Sequence, residues 1–258
     1  MPSPCLADPR HPHHAVPYLR NKNIEIHPRQ RRWPDWLWSR LLRYVAARHR
    51  LALLAGDPQV VISEQIVENA MVLRNIPPEA PTVLDFGGVE SVLPITLAAL
   101  GHRVTVWDRR PYAFTHPLLS VVRRDIFGET PQGLGPFDVV ISVSTIEHLG
   151  LGSYGDVVME DADAKGVAVL WSLVRTGGRL IVTVPVGRAA VHPGFRVYDR
   201  ARLHRVFPHP GSVHYFRKLG RDGVWERVEA ADVENLEYEA PAEPLPVDAV
   251  AVLVLDKR

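Results

Sequence analysis

The chain has 258 residues, 46% of them hydrophobic and 23% charged, which is the make-up of a folded globular protein and excludes a disordered one. A net charge of +1 points to no polyanion-binding role, and the single cysteine, Cys5, excludes an internal disulfide or a thiolate zinc cluster. Residues 1–32 are rich in Pro, His and Arg without any period, and read as an arm without regular structure or one ordered only by packing on the body. The first fifty residues hold ten Lys/Arg against three Asp/Glu, so a basic front precedes an acidic body. Such a front meets an anionic partner or docks on its own acidic body. His11, His13 and His14 have no acidic neighbour and sit among prolines, so no metal is expected.

A helical cap is expected over residues 33–79. Pro34 and Asp35 suit the first turn of one helix and Gly56 its end, while SEQIVENAMVLRNI forms a second that stops before Pro77-Pro78. From residue 80 short apolar runs alternate with helical stretches. Strands are expected at 82–86, 103–107, 119–123, 137–143 and 179–184, with helices at 91–100, 161–175 and 200–207. Gly177-Gly178 reads as the stop of the second of these helices. RRPYAFTHP is too short for a crossover helix and reads as a loop. A hairpin across GRDG and a strong last strand, 249–255, complete the chain. This alternation implies an α/β fold, a doubly wound and mostly parallel sheet.

In such sheets ligands bind at the carboxyl ends of the strands, near the switch in strand order. The first strand ends in Asp85-Phe86-Gly87-Gly88, the second in Asp108-Arg109, the third in Asp125-Ile126 and the fourth in Ser144-Thr145-Ile146-Glu147-His148. Three successive strands thus deliver a carboxylate to one edge. Glycines let a backbone approach a ligand closely, and a carboxylate about twenty residues past such a loop accepts from ribose hydroxyls. An acid just before the glycines suits an ammonium group and would repel a pyrophosphate.

These segments, VLDFGGVES, VTVWD, RRDIF, FDVVISVSTIEHL and LVRTGGRLIVTVP, resemble the class I S-adenosylmethionine-dependent methyltransferases over residues 60–258. The sub-pattern is closest to small-molecule enzymes acting on sugars or natural products. The resemblance implies a Rossmann-like, seven-stranded sheet with an antiparallel terminal strand, and S-adenosyl-L-methionine as cofactor. It implies that Asp85, Gly87 and Gly88 hold the methionine end, Asp108 the ribose, and Asp125 with Ile126 the adenine, with Phe86, Arg109 and Ser144 adjoining. Val89 and Ser91 stand where the family loop has its second and third glycines, so the loop must take another path.

His148 is the catalytic candidate, since imidazole titrates near neutrality and can take a proton from an acceptor. Glu147 either orients it or faces the core. Asp156 is a further catalytic candidate, and Tyr154, His192, Arg196 and Tyr198 are candidates for the substrate side. Trp107, Tyr112 and Phe114 either flank the adenine or pack in the core.

The expected reaction is methyl transfer to an oxygen or nitrogen of a small polar acceptor. An RNA methyltransferase using the basic front, or a non-catalytic S-adenosylmethionine-binding protein, are the alternatives. The expected partner is a small molecule, with neither a membrane nor nucleic acid, and the cap covers the cleft or builds a homodimer contact. No apolar leader stands at the N-terminus and no run is long enough to cross a bilayer, so a cytoplasmic location is expected.

Overall fold

The computed structural model describes residues 24–27, 59–208, 211–219, 224–238 and 247–258. Contacts divide the chain into Met1–Ser63 and Glu64–Arg258. In the first unit β1 (Ile24–His27) pairs antiparallel with β2 (Gln59–Ile62), Ile24 lying opposite Ile62. The arm expected to lack regular structure therefore contributes a strand. Ile24 and Ile26 favour extended backbone, but the partner lies over thirty residues away, where no local signal reveals it. The helix expected from Pro34 to Gly56 lies outside the described residues.

The second unit is built on one sheet. Its strands are β3 (Thr82–Phe86), β4 (Arg103–Asp108), β5 (Leu119–Arg123), β6 (Phe137–Val143), β7 (Val174–Pro185), β10 (Gly211–Leu219), β11 (Val224–Val228) and β12 (Ala249–Asp256). A short hairpin of β8 (Ala190–His192) and β9 (Phe195–Val197) stands apart from it. Across the sheet the order is β11-β10-β12-β7-β6-β3-β4-β5. The five strands β7-β6-β3-β4-β5 run parallel, and β12, β10 and β11 are antiparallel to their neighbours. There are eight strands rather than the expected seven, because both arms of the GRDG hairpin join the edge.

Strand periodicity builds two cores. Successive side chains point to opposite faces. Leu84, Val140, Leu180 and Val182 pack on one face with α3 (Ala162–Ser172), through Val167 and Leu170. Val83, Val139, Ile141 and Ile181 pack on the other with α1 (Gln65–Asn75) and α2 (Leu93–Ala99), through Val72, Leu93 and Leu97. Pro77 pushes Ile76 into the extended region, at ψ 119°, and so ends α1. This helix, assigned to the cap by sequence, clusters with the sheet unit.

Gly177-Gly178 does not close α3, which stops at Ser172. The pair lies inside β7, where Gly177 has φ 75° and donates to the Lys257 carbonyl at 2.7 Å. Glycine is demanded by a kinked strand here, a signal that a helix stop would share.

Among the described residues no helix is long and apolar enough to cross a membrane, and no three metal-ligating side chains cluster.

Candidate functional site

The chain steps outward from β3 to β4 and β5, then returns to β6 on the other flank of β3. The switch in strand order therefore lies between the carboxyl ends of β3 and β6, where a crevice must open. Phe86 pairs with Trp107 and Asp108 with Arg123, so the ends of β3, β4 and β5 stand level.

The turn after β3 is tight. Gly87 has φ 79° and donates its N–H to the Trp107 carbonyl at 2.9 Å. A Cβ there would overlap the Thr145 side chain from the end of β6, and one at Gly88 would lie 2.5 Å from the Asp85 carboxyl carbon. Gly87 is thus fixed by close approach across the switch point, and Gly88 by the Asp85 carboxyl of the preceding strand. Gly88–Glu90 is a 3₁₀ turn, and Ser91 follows in extended backbone at φ −105°. Among the described non-glycine residues only Ser144 and Asp161 have positive φ, so Val89 and Ser91 stand where no glycine is needed. Gly87→Ala combines backbone strain with a clash, and is expected to cost about 2–4 kcal/mol in urea unfolding. An unchanged midpoint would mean that this turn is not the tight one described.

Asp85 is buried beneath the turn. Asp108, 8% exposed, takes the backbone N–H of Arg110 at 2.9 Å and its Nε at 3.3 Å on Oδ1, with Nη2 3.4 Å from Oδ2. Arg110 also donates to Glu90 at 2.6 Å and lies over the Tyr154 ring at 5.5 Å. Asp125 receives the Phe127 N–H at 2.9 Å and pairs with Arg109 at 3.6 Å, not with the adjacent Arg123 or Arg124. Ile126 is buried in the core. Trp107 is fully buried and donates to the Arg124 carbonyl at 3.0 Å, and Tyr112 holds the Ser91 carbonyl at 2.8 Å. Both are core residues, while Phe114 is exposed.

The end of β6 meets a group that the sequence does not single out, Glu68 of α1. Ser144 sits at φ 41°, its N–H donating to Thr183 Oγ1 at 2.9 Å and its hydroxyl to Glu68 Oε1 at 2.7 Å. Glu68, from α1, is fully buried, and Glu147, from the turn Ile146–His148, is 2% exposed. Burial pushes Glu68 up to about 8, aided by the nearby Glu64 charge and opposed by Ser144 and Thr183. Burial, with the charges of Glu68 and Glu64, likewise raises Glu147 well above the carboxylate range.

His148 contacts the Gly194 carbonyl through Nδ1, and its Nε2 faces Glu147 Oε1 at 3.9 Å. Tyr154 packs edge-on against the imidazole at 5.4 Å. Desolvation lowers the His148 pKa, with Arg110 and Arg196 adding to the effect while the Gly194 contact and Asp156 oppose it.

The remaining candidates divide. Asp156 accepts from the Gly150 and Tyr154 amides at 2.6 and 3.3 Å, so its carboxylate shapes its own loop. Arg196 is 4% exposed and braces the carbonyls of Glu147 and Leu149, and Tyr198 is fully buried with its hydroxyl on Asp163 at 3.1 Å. Both side chains are turned to protein partners. They look alike in sequence to surface residues because β9 carries them inward. Tyr154 is exposed, and His192 stacks on Phe195 at 4.9 Å.

A family model described as "Caenorhabditis protein of unknown function, DUF268" matches residues 106–217. No curated protein matches the chain. Among solved structures the chain is similar to 1,6-didemethyltoxoflavin-N1-methyltransferase of Burkholderia thailandensis, with bound 1,6-didemethyltoxoflavin and S-adenosylhomocysteine. The TM-score is 0.51 at 15% identity, covering 91% of this chain and 94% of that one. It is also similar to the N-methyltransferase NodS of Bradyrhizobium japonicum in complex with S-adenosylhomocysteine, at TM-score 0.48 and 13% identity, covering 75% of this chain and 87% of that one. The fold is that of the class I methyltransferases. The reversed strand β12, inserted between β7 and β10, belongs to this architecture as the resemblance implied.

Proposed function

We propose that this protein transfers a methyl group from S-adenosylmethionine to an oxygen or nitrogen of a small polar acceptor. The observation that carries the reading is the stepped row of Asp85, Asp108 and Asp125, near the end of β3, at the end of β4 and just past β5, each two residues further along than its neighbour, beside the Gly87-Gly88 turn at the switch point. A row of acceptors suits a ligand with an ammonium group and two ribose hydroxyls. Asp108 has lone pairs left on Oδ2 for a ribose, with Arg110 moving aside or sharing. Asp85 and the turn amides would hold the methionine end. Asp125 and the Ile126 amide would meet the adenine, with Phe86, Arg109 and Ser144 beside them.

When bound, the cofactor supplies an electrophilic methyl group on a positive sulfur. The chain's own task is to bind, orient and accept a proton. A carbonyl only accepts, so the Gly194 contact places the His148 proton on Nδ1 and leaves the lone pair on Nε2. His148 in this form would act as general base for a hydroxyl or amine, with Glu147 beside it. Tyr154 and His192 would line the acceptor side. The sugar or natural-product character of the acceptor rests on the resemblance in sequence.

Calorimetry with S-adenosylhomocysteine tests the assignment. Asp108→Ala is expected to weaken binding by about 1–3 kcal/mol, the scale of lost hydrogen bonds to a charged group. Equal affinity in parent and variant would remove Asp108 from the ribose site.

A further inference from the structure

Two carboxyl groups sit inside the protein at the switch point, and the Ser144 hydroxyl holds one of them. Glu68 enters from α1 and Glu147 from the turn after β6, and the Ser144 hydroxyl donates to the first and offsets part of the shift in the second. Each carboxyl keeps one buried oxygen, Oε2, without a hydrogen-bond partner. The charged and titratable groups facing the cluster are Glu64 on α1, His148 on the same turn as Glu147, Arg196 on β9 and Tyr198 just beyond it. The Arg196 guanidinium donates through Nη1 to the Glu147 and Leu149 backbone carbonyls. Among these groups no cation is paired with either carboxylate, so the cluster at rest holds protons.

Such an arrangement has excess acceptor oxygen and, among the described residues, no Lys or Arg ion pair, beside a crevice assigned to a cation. Building on the proposed cofactor, we propose that the Glu68–Ser144–Glu147 cluster answers the charge on the cofactor's sulfur: it releases a proton when a sulfonium occupies the crevice and keeps it when the sulfur is neutral. The linkage gives the reaction a proton acceptor. As the acceptor's lone pair bonds to the methyl carbon, the carbon–sulfur bond breaks with its electrons to sulfur. The acceptor's proton leaves, and the charge that held the cluster ionised disappears in the same step. His148 Nε2 stands 3.9 Å from Glu147 Oε1, so the charge of the cluster acts on the base from close range, and Glu68 and Glu147 are proton-holding, positioning groups. The proton returns to water after product release.

The test counts protons on binding and needs no turnover. The full chain is titrated with S-adenosylmethionine and with S-adenosylhomocysteine at pH 6.5, in buffers of different ionisation enthalpy. Both ligands carry the same carboxylate and an α-amino group that is protonated at this pH. The methylated cofactor is expected to release roughly one more proton than its demethylated form. Its affinity should rise by up to about tenfold per pH unit from pH 6 to 7.5, where that of S-adenosylhomocysteine stays level. Glu68→Gln, nearly isosteric, should abolish most of the difference while binding persists. Equal proton counts for the two ligands in the parent protein would overturn the inference alone. Failure of both ligands to bind would overturn the underlying cofactor reading and this inference with it.

Discussion

Replacing His148 with alanine is expected to lower kcat by roughly 10²–10⁴, the range for loss of a general base, with cofactor affinity nearly unchanged. The imidazole is held on two sides, by the Gly194 carbonyl and by the Tyr154 ring, so its Nε2 lone pair is oriented before any acceptor arrives. Desolvation holds its pKa below the ordinary histidine value. The imidazole is therefore neutral at pH 7, and kcat should fall only as pH drops through that lowered pKa. An amine acceptor, which can lose its proton to water first, gives the smaller end of the range. Steady-state kinetics of His148→Ala and His148→Gln across pH check this. Activity within a few-fold of the parent, with the same acid limb, would take His148 out of the mechanism.

Asp163→Ala is expected to destabilise the fold by about 3–5 kcal/mol, the cost of breaking one side of a buried ion pair. Asp163, on α3, is fully buried. It accepts from Arg202 Nε and Nη2 at 3.1 and 2.7 Å and from the Tyr198 hydroxyl at 3.1 Å. Removing it leaves the Arg202 guanidinium, whose side chain is 17% exposed, without its counter-charge, and leaves a core hydroxyl unpaired. Burial alone would raise the Asp163 pKa, but the hydrogen bonds and charge of Arg202, with the Arg196 charge, hold it below the usual value. A depressed folded-state pKa adds stability that is present above the unfolded value near 3.9 and is lost as pH falls through the folded one. Urea midpoints of parent and variant at pH 7 and pH 3 should therefore converge toward acid. A variant as stable as the parent at neutral pH would show the pair to be structurally idle.

The strands of the switch point were legible because each is a short apolar run closed by an acid or a glycine. β3, β5 and β6 begin and end where the residues indicated, and Asp85, Asp108 and Asp125 stand at the edge that their positions implied. Glu68 was not legible. In α1 it shares a stripe with Val72 and Ile76, yet apolar residues also fill positions 66, 67, 71 and 73, so no period singled out the buried face. A charged residue on a core stripe violates local patterning, which is where functional groups tend to sit. Arg196 and Tyr198 were misplaced for the opposite reason. Polar residues after a strand resemble a substrate surface until β9 and the partners Glu147, Leu149 and Asp163 are known. The amides that donate to the Asp156 carboxylate lie within six residues of it, in a glycine-rich loop whose turn brings them together.

A crystal structure of the full chain with S-adenosylhomocysteine bound would place the ligand outright. The homocysteine end is expected over the Gly87-Gly88 turn, the ribose hydroxyls on Asp108 with Arg110 displaced from Oδ2, the adenine against Asp125 and Ile126, and the sulfur facing Ser144 and His148. A ligand seated away from the ends of β3 and β4, or Arg110 still closing Asp108 with the ligand elsewhere, would contradict that placement.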